Sequence, residues 1–349
     1  MKLKLLLTFD HELPLGGIRT FYKEAMFDPT DRLFDVANQL QVPIVLFTDV
    51  LCGIRFKEWD NTSFYQPYVK QLQEAISKNH DVQLHLHPHW LTSSFHSNNF
   101  VPSDDYRLAD FKSNKEFPIE QIIKSGIDFL TEVCTKVKDD YECIAFRAGG
   151  YNIEKETKEI ITDLYKYGIR FDSSIGKGYY FRSSLSEVNY LNMPKPPNWY
   201  LGLDGNIRAD AKKGLWEIPI ATIPKTPFEI PTRFKLKKLA KRAPQDNGFQ
   251  IHDGKPADIL SKIKMMFSSR MLSLDNYTLS VNYLMRILEY NVRKYRQYDT
   301  VILAVSGHPK TMGDYSFYLM ESFINRVREK YREVEFTIFS ELAAEMKMK

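Results

Sequence analysis

Gln83-Leu84-His85-Leu86-His87-Pro88-His89-Trp90 is the stretch on which the reading of this chain turns. Three of the eight histidines fall within five residues of it. They close a short run, Val82 to Leu86, that reads as a buried strand. In an extended chain, residues two and four apart share one side, so the imidazoles at 85, 87 and 89 face the same way. Pro88 has no N–H to give to a ladder, and the strand is expected to stop there. The histidines therefore gather at a strand's C-terminal end. Neutral imidazole is the commonest protein ligand for a metal ion.

Working outward, the same pattern recurs. Leu3–Phe9 is an apolar run ending in Asp10-His11-Glu12, and a loop bearing Gly16-Gly17 follows it. A helix over 32–39, with Asp28 or Thr30 as its cap, leads to a strand at Val42–Phe47. A helix over 65–78 leads to the histidine strand. The polar stretch 91–117 is long enough to be a loop over a site. Pro118 opens a helix to about Val137, and a strand at Cys143–Phe146 ends in Arg147-Ala148-Gly149-Gly150-Tyr151. A helix over 153–167, stopped by Gly168, precedes a strand at Ile169–Phe171 that ends in Asp172. Further strands are predicted at 215–220, 301–305 and 334–338, with helices at 277–295 and 314–331 and a final short helix capped by Ser340. Strands alternating with helices predict a parallel sheet with right-handed crossovers. About seven such units predict an α/β fold, a distorted (β/α) barrel. In a parallel barrel the residues just past each strand converge on the C-terminal rim, where active sites are built.

Composition sets the outer limits. Of 349 residues, 43% are apolar and 26% charged, as in a soluble globular protein, and the chain is read as a single domain, 1–349, with an insertion at 222–275. A net charge of +4 gives no general case for a nucleic-acid partner. The basic run Arg233 to Arg242 is the exception, a candidate for peripheral contact with an anionic membrane. Cys52, Cys134 and Cys143 are scattered, which suits a reducing compartment and a metal site without thiolates. No apolar run approaches the roughly 18 residues of a membrane span. Met1–Phe9 has no cleavage site of the secretory kind, so the expected location is cytoplasmic.

The rim residues suggest a chemistry. Glu12, His85 and His89 form a two-histidine, one-carboxylate set, which with an open fourth position is the catalytic zinc pattern. His85 with His87 is a rival pair that spacing alone does not separate. Asp10 would project beside the metal as a general base, Arg147 would hold it ionised, and His308 would arrive from across the barrel as a general acid. Trp90, Gly149 and Tyr151 are candidate substrate contacts, with the two aromatic residues suited to walling a sugar pocket.

Taken in order, Thr8-Phe9-Asp10-His11-Glu12, His85-x-x-x-His89, Arg147-Ala148-Gly149-Gly150-Tyr151, Trp216-Glu217-Ile218-Pro219 and Ser306-Gly307-His308-Pro309 resemble the motif series of the polysaccharide deacetylases, the chitooligosaccharide-deacetylase-like carbohydrate esterases. The resemblance runs from Leu3 to about Ile338. It implies a distorted barrel, a divalent metal, most often zinc, and hydrolysis of an N-acetyl group from a sugar. Carried over by position, it makes Asp10 the base, His85 and His89 metal ligands, Arg147 the residue that orients the base, and His308 the acid. The chain departs from the pattern in three places. His11 stands where the family has a metal-binding aspartate; Glu12 is taken as the ligand, with His11 as its competitor. Gly149 stands where the family has a proline. Glu217 is the nearest match to the aspartate that orients the catalytic histidine. With a cytoplasmic location, the expected substrate is a lipid- or nucleotide-linked glycan precursor of a surface polysaccharide. Two alternatives remain: hydrolysis of a non-sugar C–N bond, and a barrel that binds carbohydrate without turnover.

Overall fold

The computed structural model describes residues 1–14, 21–96, 99–226, 258–275 and 280–347. The glycine-bearing loop at Gly16-Gly17 and the basic run at 233–242 lie outside them.

Nine strands form one curled sheet. In chain order they are β1 (Lys2–His11), β2 (Val45–Asp49), β3 (Asp81–Leu86), β4 (Ala145–Ala148), β5 (Phe171–Asp172), β6 (Trp199–Gly202), β7 (Gly214–Glu217), β8 (Thr300–Val305) and β9 (Val334–Phe336). The path across the sheet is β6-β7-β5-β4-β3-β2-β1-β8, with β9 also on β1. Every pairing is parallel except β6 with β7. Just past β7, Ile220 bridges Ala304 of β8, so the curled sheet is drawn together as a distorted barrel. Seven parallel strands, β1–β5, β7 and β8, surround it, as the alternation of the sequence predicts.

Two apolar layers hold this arrangement. Inside, Leu6, Val45, Phe47, Ala145, Phe171, Ile218 and Ala304 pack together, and the C-terminal helix Phe339–Met346 stops one end with Phe339 and Leu342. Outside, the helices bury their apolar stripes against the strands; in Ile119–Cys134 these are Ile119, Ile122, Ile123, Leu130 and Val133. The strands are apolar on both faces because both are covered, so they read as continuous runs. No described helix is long and apolar enough to cross a membrane. The three cysteines are buried and free.

Three local expectations change. The helix Val50–Trp59 has no counterpart in the reading above: its first turn, Val50 to Gly53, is buried all round and shows no amphipathic period. The last helix begins with Ile338, not Ser340, at its cap. Residues 222–275 are not wholly outside the barrel. Thr222–Pro224 pairs with Ser269–Met271, and the following residues run along β8, where Leu274 N–H donates to Ser306 O (2.8 Å) and Ser306 N–H to Leu272 O (3.0 Å). This brings Asp275 to the rim.

Candidate active site

Alternation on β1 sets the first part of the site. Asp10 and Glu12 share one side of the strand and His11 points to the other. His11 is buried with both nitrogens engaged, Nδ1 with the Thr48 hydroxyl and Nε2 with Gln71 Oε1, each at 2.8 Å. Burial lowers its pKa to about 4, so it is a neutral residue of the wall and its donors face away from the rim. Glu12 is the acid that reaches the histidines.

The structure gathers Glu12, His85 and His87, whose donor atoms lie within 4.8 Å of one another, all buried. His87, not His89, completes this group. The reason lies at Pro88. The ladder ends at Leu86, and His89 opens a one-turn helix, His89–Thr92, that carries its ring away to stack on Tyr106 and lie against Trp90. An i, i+4 spacing counted along one strand therefore does not hold here. Trp90 is likewise in the core. It is fully buried, packs on Phe56 and Phe100, and donates its indole N–H to Asp49, so it walls no substrate cleft. Asp49 in turn accepts the His87 backbone N–H at 3.3 Å.

The donor set fits a divalent ion. Glu12 Oε2, His85 Nε2 and His87 Nε2 are buried, converge on one another, and have no hydrogen-bond partner outside this group. Buried polar atoms without partners are costly unless something else satisfies them. His85 Nδ1–H donates to the Arg147 backbone carbonyl (2.8 Å), which fixes the tautomer that leaves Nε2 with a lone pair. One feature opposes the ion: buried Lys310 donates to Glu12 Oε1 at 2.8 Å and so shares this carboxylate. Nothing in the sequence pattern singled out Lys310, whose partner is 298 residues away.

Arg147 closes the site from β4. It is fully buried and donates to Asp10 Oδ1 (2.6 Å), Thr8 Oγ1 (2.7 Å), Ser173 O (2.9 Å) and Ser173 Oγ (3.1 Å). Burial alone would raise the Asp10 pKa, but Arg147 and the nearby histidines hold it well below the ordinary carboxylate range. Asp10 is thus an ionised carboxylate with a fixed orientation.

His308 faces it. Its Nε2 lies 3.3 Å from Asp10 Oδ2, and its backbone N–H and Nδ1–H donate to the two oxygens of Asp275, at 2.7 and 2.9 Å. Burial would lower its pKa; Asp275 and Asp10 outweigh that and push it up to about 10. Asp275 is thus the carboxylate that orients His308. Glu217 is elsewhere, buried beside Asp172, where burial and that second carboxylate raise its pKa well above the usual range. Asp275 lies in a stretch with no strand or helix period, 33 residues from its partner, and only its aspartate chemistry could have flagged it. Tyr151 stands at the edge with its hydroxyl 3.4 Å from His308 Nε2. Its φ of +58° is unusual for a bulky residue and marks a loop held by its surroundings. Gly149 is a packing position: a Cβ there would lie 2.5 Å from the Leu86 carbonyl oxygen and 2.8 Å from His87 Nδ1.

No protein-family model and no curated protein sequence matches the chain. Among solved structures, it is similar to a protein described as a polysaccharide deacetylase from Mycobacterium smegmatis, at 12% identity over 99% of this chain and 90% of that one, with a TM-score of 0.49. It is similar to an allantoinase at 11% identity over 98% and 89% of the two chains, with a TM-score of 0.49. A protein described as a polysaccharide deacetylase from Pseudomonas aeruginosa PAO1 follows at 12% identity over 98% and 90%, with a TM-score of 0.47.

Proposed function

We propose that the protein is a metal-dependent hydrolase that removes an acyl group, acetyl in the first instance, from an amide nitrogen on a sugar during surface-polysaccharide assembly. The observation that carries this is the opposition of two groups with pKa values driven apart. Ionised Asp10 and protonated His308 face each other at 3.3 Å beside a set of unpartnered donors. Such a pair is the signature of an assigned base and acid. The resemblance of the motif series supplies the sugar amide as the substrate class.

Glu12, His85 and His87 would hold the ion, zinc being one that suits such a set. When bound, it supplies Lewis acidity toward an acyl oxygen and toward water. The chain's own residues do the proton work. Asp10 takes a proton from the attacking water, held in place by Arg147. His308 Nε2–H gives a proton to the departing amine nitrogen, and Asp275 stabilises the imidazolium before that transfer. Asp10 then returns its proton to His308 across 3.3 Å, and both groups are reset. One water and one amide have become one carboxylic acid and one amine.

The test is acetate release from a panel of N-acetylated sugars by metal-loaded protein, with Asp10→Asn and His308→Gln as controls. Release by wild type and its loss in both variants is the expected result. A fully loaded protein that releases acetate from no acetylated sugar sinks the sugar reading. Amine release from non-sugar amides would then favour hydrolysis of another C–N bond, and inactivity toward both would favour a binding barrel.

A further inference from the structure

We propose that the cleft running away from His308 is an anion subsite, and that Arg270 binds there a phosphate or carboxylate attached to the sugar whose amide is cleaved. This rests on the hydrolase reading above for the word substrate, but not for the binding itself. The cleft has a volume of about 340 Å³ and is lined among others by Tyr151, Lys225, Arg270, Asp275, Tyr283 and His308. It opens at His308, so groups on a sugar whose amide meets that histidine can reach into it.

The charges lining this cleft are uneven. Asp275 is the one carboxylate among its described lining residues, and both of its oxygens are taken up by His308. Two cations, Lys225 and Arg270, also line it. Lys225 is engaged, donating among other contacts to Met265 O at 2.9 Å and Ser268 Oγ at 3.1 Å. Arg270 sits on the strand Ser269–Met271, opposite Ile223, with its guanidinium carbon 5.2 Å from the centre of the Tyr283 ring. Its Nε is buried and makes no hydrogen bond, and no described carboxylate pairs with it. A buried guanidinium nitrogen without an acceptor carries the desolvation cost of the group with no return. The Tyr283 ring beside it offers the guanidinium a cation–π contact, and Arg270 lines the cleft where a ligand would lie. A guanidinium fork matches carboxylate and phosphate oxygens in pairs, where a lysine offers only a point charge. A neutral sugar would meet none of this; an anionic one would satisfy Arg270.

The probes are inorganic pyrophosphate, for a phosphate-linked sugar, and glucuronate, for a uronic acid. Binding of each is measured by calorimetry to the full chain and to Arg270→Gln, with metal content checked in both. One probe is expected to bind wild type, and its identity names the source of the charge; Arg270→Gln should weaken it at least tenfold with metal content unchanged. In wild type, hydrogen–deuterium exchange with the probe should show protection at residues 269–271, a readout independent of the variant's folding. Failure of both probes to bind, equal binding to the variant, or protection confined to other segments overturns the subsite. None of those results touches acetate release, and a failure of acetate release leaves the binding result standing.

Discussion

Replacing Arg147 with methionine tests the electrostatic centre of the site. The side chain is fully buried, donates four hydrogen bonds, and lies with its guanidinium 4.2 Å from the Phe47 ring centre. Arg147→Met keeps much of the packing and removes the charge, leaving Asp10 buried with the imidazoles of His308 and His85 near it. Breaking one side of a buried ion pair costs about 3–5 kcal/mol, because the remaining charge is desolvated without compensation. Equilibrium urea unfolding should show a loss of that size. The double variant Asp10→Asn/Arg147→Met should lose less than Arg147→Met alone, since it leaves no bare carboxylate. The sign of the pH dependence follows. In wild type the Asp10 pKa is depressed, so its contribution is present above the unfolded value of about 3.9 and is lost as pH falls through the folded value. Without Arg147, burial pushes that pKa back upward against His308 and His85, and ionised Asp10 contributes less stability at neutral pH. The gap between wild type and variant should therefore be widest near pH 7 and narrow as pH falls through the variant's Asp10 pKa. Metal content should hold, because His85 bonds to the backbone carbonyl of residue 147, which the substitution keeps. A loss under about 1 kcal/mol, or a double variant no better than the single, would refute the uncompensated-charge argument.

Metal analysis should find one divalent ion per chain in wild type, lost in Glu12→Gln, His85→Ala and His87→Ala but kept in His89→Ala; loss in His89→Ala and retention in His87→Ala would restore the i, i+4 pair. Lys310→Met removes the ammonium that shares Glu12, and competition with a chelator should then show metal held about tenfold more tightly or better, a fixed cation a few ångströms away being worth several kcal/mol at an effective dielectric near 20; unchanged affinity would mean the ion does not use this carboxylate. Asp275→Asn should move the alkaline limb of kcat/KM to lower pH, because Asp275 contributes to holding the His308 pKa at about 10, and a limb that stays put would remove Asp275 from the mechanism. His80, at the opposite end of β3, is buried with neither ring nitrogen bonded, and burial together with Lys78 lowers its pKa from 6.5 to about 4. Its neutral form stabilises the fold above pH 6.5 and this is lost as pH falls toward 4, so wild type should lose about 3 kcal/mol more than His80→Phe over that interval, at about 1.4 kcal/mol per unit; parallel unfolding curves would contradict it.

What could be read from the chain follows from how each feature is encoded. The seven parallel strands are legible because both faces are covered, which makes them nearly continuous apolar runs such as Leu3–Phe9, broken only by Lys4 and Thr8, and Val301–Val305. Asp10, Glu12, His85, Arg147 and His308 are legible because each sits at or just beyond the end of such a run. The choice between His87 and His89 was not, since it depends on where the chain turns at Pro88, and spacing does not report a turn's direction. Trp90 looked like a sugar platform because an aromatic side chain at a rim and one folded under it have the same sequence context; Asp49, which captures its N–H, is 41 residues away. Asp275 and Lys310 were missed for the same reason: each is defined by a partner distant in sequence.

The same distant pairs explain how three carboxylates can share one buried rim. Each carboxylate has its own cation from another strand end: Asp10 has Arg147, Glu12 has Lys310, and Asp275 has His308. Paired in this way, three negative charges can be buried without forcing protonation, since each carboxylate meets an opposite charge before it meets another acid. The pairing is uneven in one respect that matters. Arg147 and His308 engage their partners through short, directed bonds, with Asp275 using both oxygens. Lys310 takes only Oε1 of Glu12, and Oε2 is left facing His85 and His87. The free oxygen and the two imidazole lone pairs are the part of the rim that the protein's own hydrogen bonds do not complete. Such a site is stable enough to fold around and still short of one cation, which is the condition under which a ligand's binding energy adds to that of the fold.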